Sequence, residues 1–221
     1  MEKRKNIIGL IIGVLGSMLA LYGVISFNKF VLMSLPLAVR MIMSIIVYWL
    51  IAVIPIVVML INKDKLSDYG FSKEKLFIQI ITGIILGFTM SFILTLIPHL
   101  VGFGEYVSNG KQYKYLWQFV YEFIFCILAV GCVEEYVFRG FMYSKAKSIF
   151  RRDIMSIIVS SVLFGFFHLF SGNIVQMIMT TLIGATLCIF RNKIKDCSTL
   201  SLIIAHGIYD ALITVWGYVF L

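Results

Sequence analysis

Two adjacent carboxylates, Glu134 and Glu135, close an otherwise apolar run in the stretch AVGCVEEYVFRGFMY (residues 129–143), and Arg139 follows four residues after the second. Farther along, FGFFH carries Phe164 and His168 one helical turn apart, and HGIYD carries His206 and Asp210 at the same spacing. Placing an ionised side chain at the centre of a bilayer costs about 3 kcal/mol or more, so ionisable groups in such apolar surroundings are candidates for function. On a regular helix, neighbours point about 100° apart, while residues four apart share a face. Arg139 is therefore expected to pair with Glu135, an arrangement that serves structure as readily as chemistry. Glu134 is then left facing elsewhere, as a candidate general base. Asp210 shares a face with His206 and can orient its imidazole and fix its tautomer.

A carboxylate and two imidazoles on three helices, supported by Arg139 and Asp210, can activate water toward a peptide carbonyl. The same three groups, Glu134, His168 and His206, can alternatively hold a divalent metal such as zinc. Other hydrolytic devices are missing from the sequence. There is no H-E-x-x-H zinc pair, no rhomboid-like G-x-S-G and no presenilin-like G-x-G-D. Cys126, Cys132, Cys188 and Cys197 show neither metal-knuckle nor disulfide spacing and read as packing residues. Glu122 reads as a rim residue near the interface remote from the site, and His99, beside Pro98, as structural.

Groups of this kind must be positioned by membrane helices. The chain is 61% hydrophobic and 14% charged, whereas a soluble domain is nearer half apolar. Apolar segments at about 7–27, 41–62, 76–101, 116–138, 154–170, 173–190 and 200–221 are long enough to cross a hydrocarbon core of about 30 Å. They predict an all-α fold, a polytopic transmembrane bundle of about seven helices forming a single integral-membrane domain over 1–221. The opening MEKRKNIIGLIIG has the charged start of a signal peptide, but the apolar run is too long for one and reads as an uncleaved first membrane helix. The connection SGN (171–173) is short enough to make the fifth and sixth helices a tight hairpin.

The basic residues orient this bundle. Lys3, Arg4 and Lys5, then Lys63, Lys65, Lys73 and Lys75, then Arg139, Lys145, Lys147, Arg151 and Arg152, then Arg191, Lys193 and Lys195 fall on one side. Only Lys29, Arg40, Lys111 and Lys114 fall on the other. Fifteen against four, alternating connection by connection, predicts a cytoplasmic N-terminus. Tyr113, Tyr115, Trp117, Trp216 and Tyr218 then form an aromatic belt at the opposite surface. The net charge of +8 faces anionic lipid of the bilayer, and a nucleic-acid role is not expected.

The three motifs EEYVFRG, FGFFH and HGIYD, in this order on separate apolar segments, resemble the CPBP family of intramembrane proteases. That family includes the type II CAAX prenyl endopeptidases and the bacterial Abi and bacteriocin-immunity proteins. The resemblance covers roughly residues 116–215, a catalytic core preceded by N-terminal membrane helices over 1–115, with LSDYGF (66–71) similar to a short family element. It implies that Glu134 activates water, that His168 assists, and that His206 and Asp210 stabilise the oxyanion, with His206 as donor. Many members have Asn at the position of Asp210. An ionised Asp cannot donate a hydrogen bond, so here Asp210 is expected to orient His206 or to be protonated. Arg139 would partner Glu135, and Phe164 opens the histidine motif. The expectation is an intramembrane endopeptidase of the bacterial cytoplasmic membrane, acting on a peptide or membrane-protein substrate from a cytoplasm-facing cavity. The alternative is a non-catalytic membrane scaffold or bacteriocin self-immunity protein. A proton-coupled transporter is disfavoured, because the sequence shows no inverted repeat.

Overall fold

The computed structural model describes residues 2–170 and 172–220; Ser171, in the expected hairpin connection, lies outside them. Helical stretches follow the expected order: α1 (Glu2–Phe30), α2 (Leu37–Asn62), α3 (Leu76–Leu100), α4 (Leu116–Phe150), α5 (Asp153–Leu169), α6 (Ile174–Lys193) and α7 (Thr199–Phe220). Six of these seven runs are long and apolar enough to span a membrane, while α5, at 17 residues, is shorter. The exterior is apolar, with Leu15, Leu19, Leu60, Ile61, Phe77 and Leu116 all exposed. Polar groups such as Ser160, Ser161, Ser201, Glu135 and Arg139 are buried instead. In water such a surface would be a liability; against lipid it is the ordinary solution, because polar groups must find partners inside the bundle.

One boundary corrects the sequence reading. The fourth segment does not stop at residue 138 but stays helical through Phe150. Arg139, Lys145 and Lys147 are therefore helical rather than in a loop, and Arg139 and Lys145 are buried. Within α4 the backbone widens to π-helix at Cys126–Gly131 and again at Glu135–Met142. Such segments alter the angular phase of the side chains that follow and are frequent at functional sites.

The two ends of the bundle are tied by different chemistry. At the basic end, Lys5 Nζ donates to the Asn62 carbonyl at 2.9 Å, Lys145 pairs with Asp64 at 2.6 Å, and Lys75 pairs with Asp196 at 3.0 Å. At the other end, Lys111 reaches Glu122 at 2.6 Å, Asn109 donates to Thr214 at 2.7 Å, and Trp216 donates to Ser91 at 2.8 Å. The alternation of basic residues thus corresponds to a physical segregation of the connections.

Helix α7 lies against α3 and α4. Its approach to α4 depends on two glycines. A Cβ on Gly131 would stand 2.6 Å from the Ile203 carbonyl, and one on Gly207 would stand 2.7 Å from Ile127 Cα. Any larger residue there would hold His206 away from the acids of α4. The element LSDYGF supplies a strap at the basic end. Tyr69 O accepts from Thr199 Oγ1 at 2.7 Å and Gly70 O accepts from the Thr199 amide at 3.0 Å, which anchors the first turn of α7. Tyr69 also packs against Tyr136 and Phe141 of α4, with ring centroids 6.1 Å and 5.6 Å away.

Candidate active site

The expected pair of Glu135 and Arg139 is present: Nη1 of Arg139 donates to Oε1 of Glu135 at 3.0 Å, and both side chains are wholly buried. The guanidinium also lies 4.0 Å from the centroid of Phe164, an arrangement in which the ring face attracts the cation. Arg191 donates to the Arg139 carbonyl, so the wide turn of α4 is held from α6 as well.

Glu135 is more than a structural partner. Its Oε1 also lies 2.6 Å from Nδ1 of His206. The other ring nitrogen, Nε2, faces Asp210 Oδ2 at 3.3 Å and Glu134 Oε2 at 3.7 Å. As expected, Glu134 faces elsewhere than Glu135, and it does so across a single imidazole. An imidazole presents nitrogens on two edges, and Glu134 and Glu135 meet opposite edges of the same ring. The backbone passes from α-helix to π-helix between these two residues.

Glu134 is held from a direction the motifs do not include. Tyr48, at the turn that divides α2 near Trp49, donates its hydroxyl to Glu134 Oε1. Glu134 Oε2 is buried and has no hydrogen-bond partner. The cluster joins three carboxylates, one guanidinium and one imidazole, whose opposite charges offset part of the cost of burying one another. The acids differ in access: Glu134 is 2% exposed, whereas the side chain of Asp210 is 25% exposed.

His168 is not in contact with these carboxylates. Its Nδ1 lies 3.0 Å from the Phe164 carbonyl of its own helix, and its ring packs edge-on against Phe164 at 4.6 Å. Phe164 in turn meets His206 edge-on at 6.0 Å. The structure therefore assembles Glu134, Glu135, His206 and Asp210 and sets His168 one aromatic ring away. Among the described residues, no group of three His, Cys, Asp or Glu side chains is placed to hold a metal ion. Glu134, His168 and His206 do not form the expected ligand set here, and both nitrogens of His206 already face carboxylates.

Two clefts flank α1, one against α2 and one against α5, and neither is lined by Glu134, His206 or Asp210. Glu122, expected at the rim, is buried. It accepts from Lys111 and Tyr113, each at 2.6 Å, and from Thr214 at 3.2 Å. His99 stays remote from the site, packed against Phe220 at 5.5 Å. Tyr48 is the residue the motif reading missed. Its signal was a lone phenol within an apolar run, whose hydroxyl needs a partner once buried.

A family model described as type II CAAX prenyl endopeptidase Rce1-like matches residues 116–212. The match spans α4 to α7 and contains every acid and imidazole of the cluster, while Tyr48 lies outside it. No curated protein and no solved structure matches the chain.

Proposed function

We propose that the chain acts as a peptide hydrolase of the kind its family model over residues 116–212 describes, type II CAAX prenyl endopeptidase Rce1-like, with Glu134 as the base that activates the attacking water. The observation that carries this reading is the position of Glu134 Oε2. It is buried, lacks a hydrogen-bond partner, and lies 3.7 Å from His206 Nε2, the nitrogen that also faces the partly exposed Asp210. A water seated there donates one proton to Glu134, and its oxygen adds to the scissile carbonyl. Nε2–H of His206 donates to the resulting oxyanion. Collapse of the tetrahedral species breaks the C–N bond, and the proton held by Glu134 passes to the departing amine.

The remaining groups position these two. Tyr48 fixes the rotamer of Glu134 through Oε1, leaving Oε2 for the water. Glu135 accepts from Nδ1 of His206, which sets the ring orientation, and Arg139 keeps Glu135 charged-paired in the interior. Asp210 orients His206 from the accessible side. His168 assists across Phe164, supporting the ring that separates it from His206. A divalent metal such as zinc would draw on Glu134, His168 and His206; these are not assembled as ligands, and the steps above use only the chain's own groups.

By the bias of Lys and Arg, the basic end faces the cytoplasm of a bacterial cell. His206 then lies about 10 Å along α7 from that end, seven residues beyond Thr199 at 1.5 Å each. The substrate is a peptide or the membrane-adjacent segment of a protein. A second reading, a scaffold or bacteriocin self-immunity protein without catalysis, is favoured by one observation: Glu134 is almost wholly covered and neither cleft beside α1 reaches it. Comparative analysis of membrane and secreted peptides from wild-type and Glu134→Gln cells separates the two. The peptidase reading expects products that vanish in the variant; the scaffold reading expects identical peptide profiles.

A further inference from the structure

The cleft between α1 and α2 at the basic end has no role in the reading above. It is an open groove of about 400 Å³, with Arg4, Lys5 and Asn62 at its polar side and Ile8, Ile12 and Ile61 among its apolar walls. We propose that it is a binding site for one anionic phospholipid, with the phosphate at Arg4 and Lys5 and an acyl chain along the isoleucine wall.

Charge and hydrogen bonding point the same way. Lys5 Nζ is held at the cleft by the Asn62 carbonyl at 2.9 Å. Arg4 and Lys5 are both exposed and line the same cleft, so their charge is open to a headgroup. Behind the cleft, Lys145 donates to Asp64 at 2.6 Å and to Asn6 at 3.2 Å, so the nearby acid Asp64 is already neutralised. Glu2, the acid of the first turn of α1, does not line the cleft. The floor stays low because residue 9 is glycine: a Cβ there would stand 3.2 Å from Val58 Cγ1 and 3.8 Å from Lys145 Cε. Basic pockets between membrane helices on the headgroup side are suited to anionic lipid, and each cation near the surface contributes about 1 kcal/mol, or about fivefold in affinity. This inference is independent of the peptidase reading.

The test uses the purified full-length protein in neutral detergent, titrated with phosphatidylglycerol, phosphatidylcholine or soluble glycerol phosphate and read by native mass spectrometry. Phosphatidylglycerol is expected to bind about 25-fold more tightly than phosphatidylcholine, two cations at about fivefold each. Arg4→Gln with Lys5→Gln should abolish that preference. Lys193→Gln with Lys195→Gln removes the same charge from exposed positions at the same end and should retain it. Ile12→Trp, which fills the cleft and leaves its charges intact, should weaken phosphatidylglycerol binding. Equal binding of the two lipids would overturn the proposal, as would equal loss in both charge pairs. So would full binding by Ile12→Trp, or glycerol phosphate competing as strongly as the lipid.

Discussion

Nδ1 of His206 lies 2.6 Å from Oε1 of Glu135, and that same oxygen accepts from Arg139 at 3.0 Å. One carboxylate oxygen therefore joins the imidazole of α7 to the guanidinium of α4. The position of Nε2, 3.7 Å from Glu134, follows from this anchor.

Removing the anchor should cost stability as well as activity. Glu135→Gln leaves Arg139 buried without a compensating charge, which is destabilising by about 3–5 kcal/mol. Combining it with Arg139→Met removes the stranded charge and should recover most of the loss. Activity should stay low in both, because His206 has lost the charged acceptor at Nδ1 and a glutamine amide orients the ring less firmly. Thermal unfolding in detergent alongside peptide cleavage checks both parts.

Tyr48→Phe removes a single hydroxyl from Glu134 Oε1 while keeping the ring against Phe125. A hydrogen bond to a charged group contributes about 1.5–3 kcal/mol, so turnover is expected to fall about 10- to 100-fold with folding retained. An unchanged rate would mean that Glu134 does not depend on this donor.

Gly207→Ala tests the helix approach. Its Cβ would meet Ile127 Cα at 2.7 Å, so α7 must shift away from α4. Overpacking of this kind costs about 1–3 kcal/mol. The shift should separate His206 from Glu135 and lower activity more than stability alone explains, measured as specific activity of the folded fraction.

The acid side of the stability profile belongs to Asp64. Burial pushes its carboxyl up, but hydrogen bonds from Lys145 and Tyr69 outweigh this and hold it below its ordinary value of 3.8. A carboxyl with a depressed value stabilises the fold above its unfolded value, and that contribution is lost as pH falls through the folded one. The Asp64 contribution should therefore persist from neutral pH to about pH 4 and fade below it. Asp64→Asn should lower stability at neutral pH and flatten this acid loss, as seen in unfolding curves taken across pH.

Much of this arrangement is legible in the sequence. Long uncharged runs locate the seven helices, and the alternation of Lys and Arg assigns their ends. The motifs around Glu134, His168 and His206 mark the cluster because charge in an apolar run is costly. What the sequence hides is phase and distance. Regular helical geometry separates Glu134 from Glu135, but the π-helix at Glu135–Met142 lies outside that geometry, and both acids reach one imidazole. Composition places the end of α4 at the first charges, yet Arg139 and Lys145 are buried within it, paired with Glu135 and Asp64. Tyr48 and Glu122 take their meaning from partners outside their own helical turns, Glu134 for Tyr48 and Lys111, Tyr113 and Thr214 for Glu122, whose identity no motif gives.

The central claim is that Glu134 performs the chemistry. The most direct measurement is hydrolysis, by purified wild-type and Glu134→Gln protein in bilayers, of the peptides that differ between the two cell lines, with thermal unfolding measured on the same samples. The account predicts cleavage by the wild type and none by Glu134→Gln at comparable unfolding temperature. Cleavage by Glu134→Gln at the wild-type rate would contradict it.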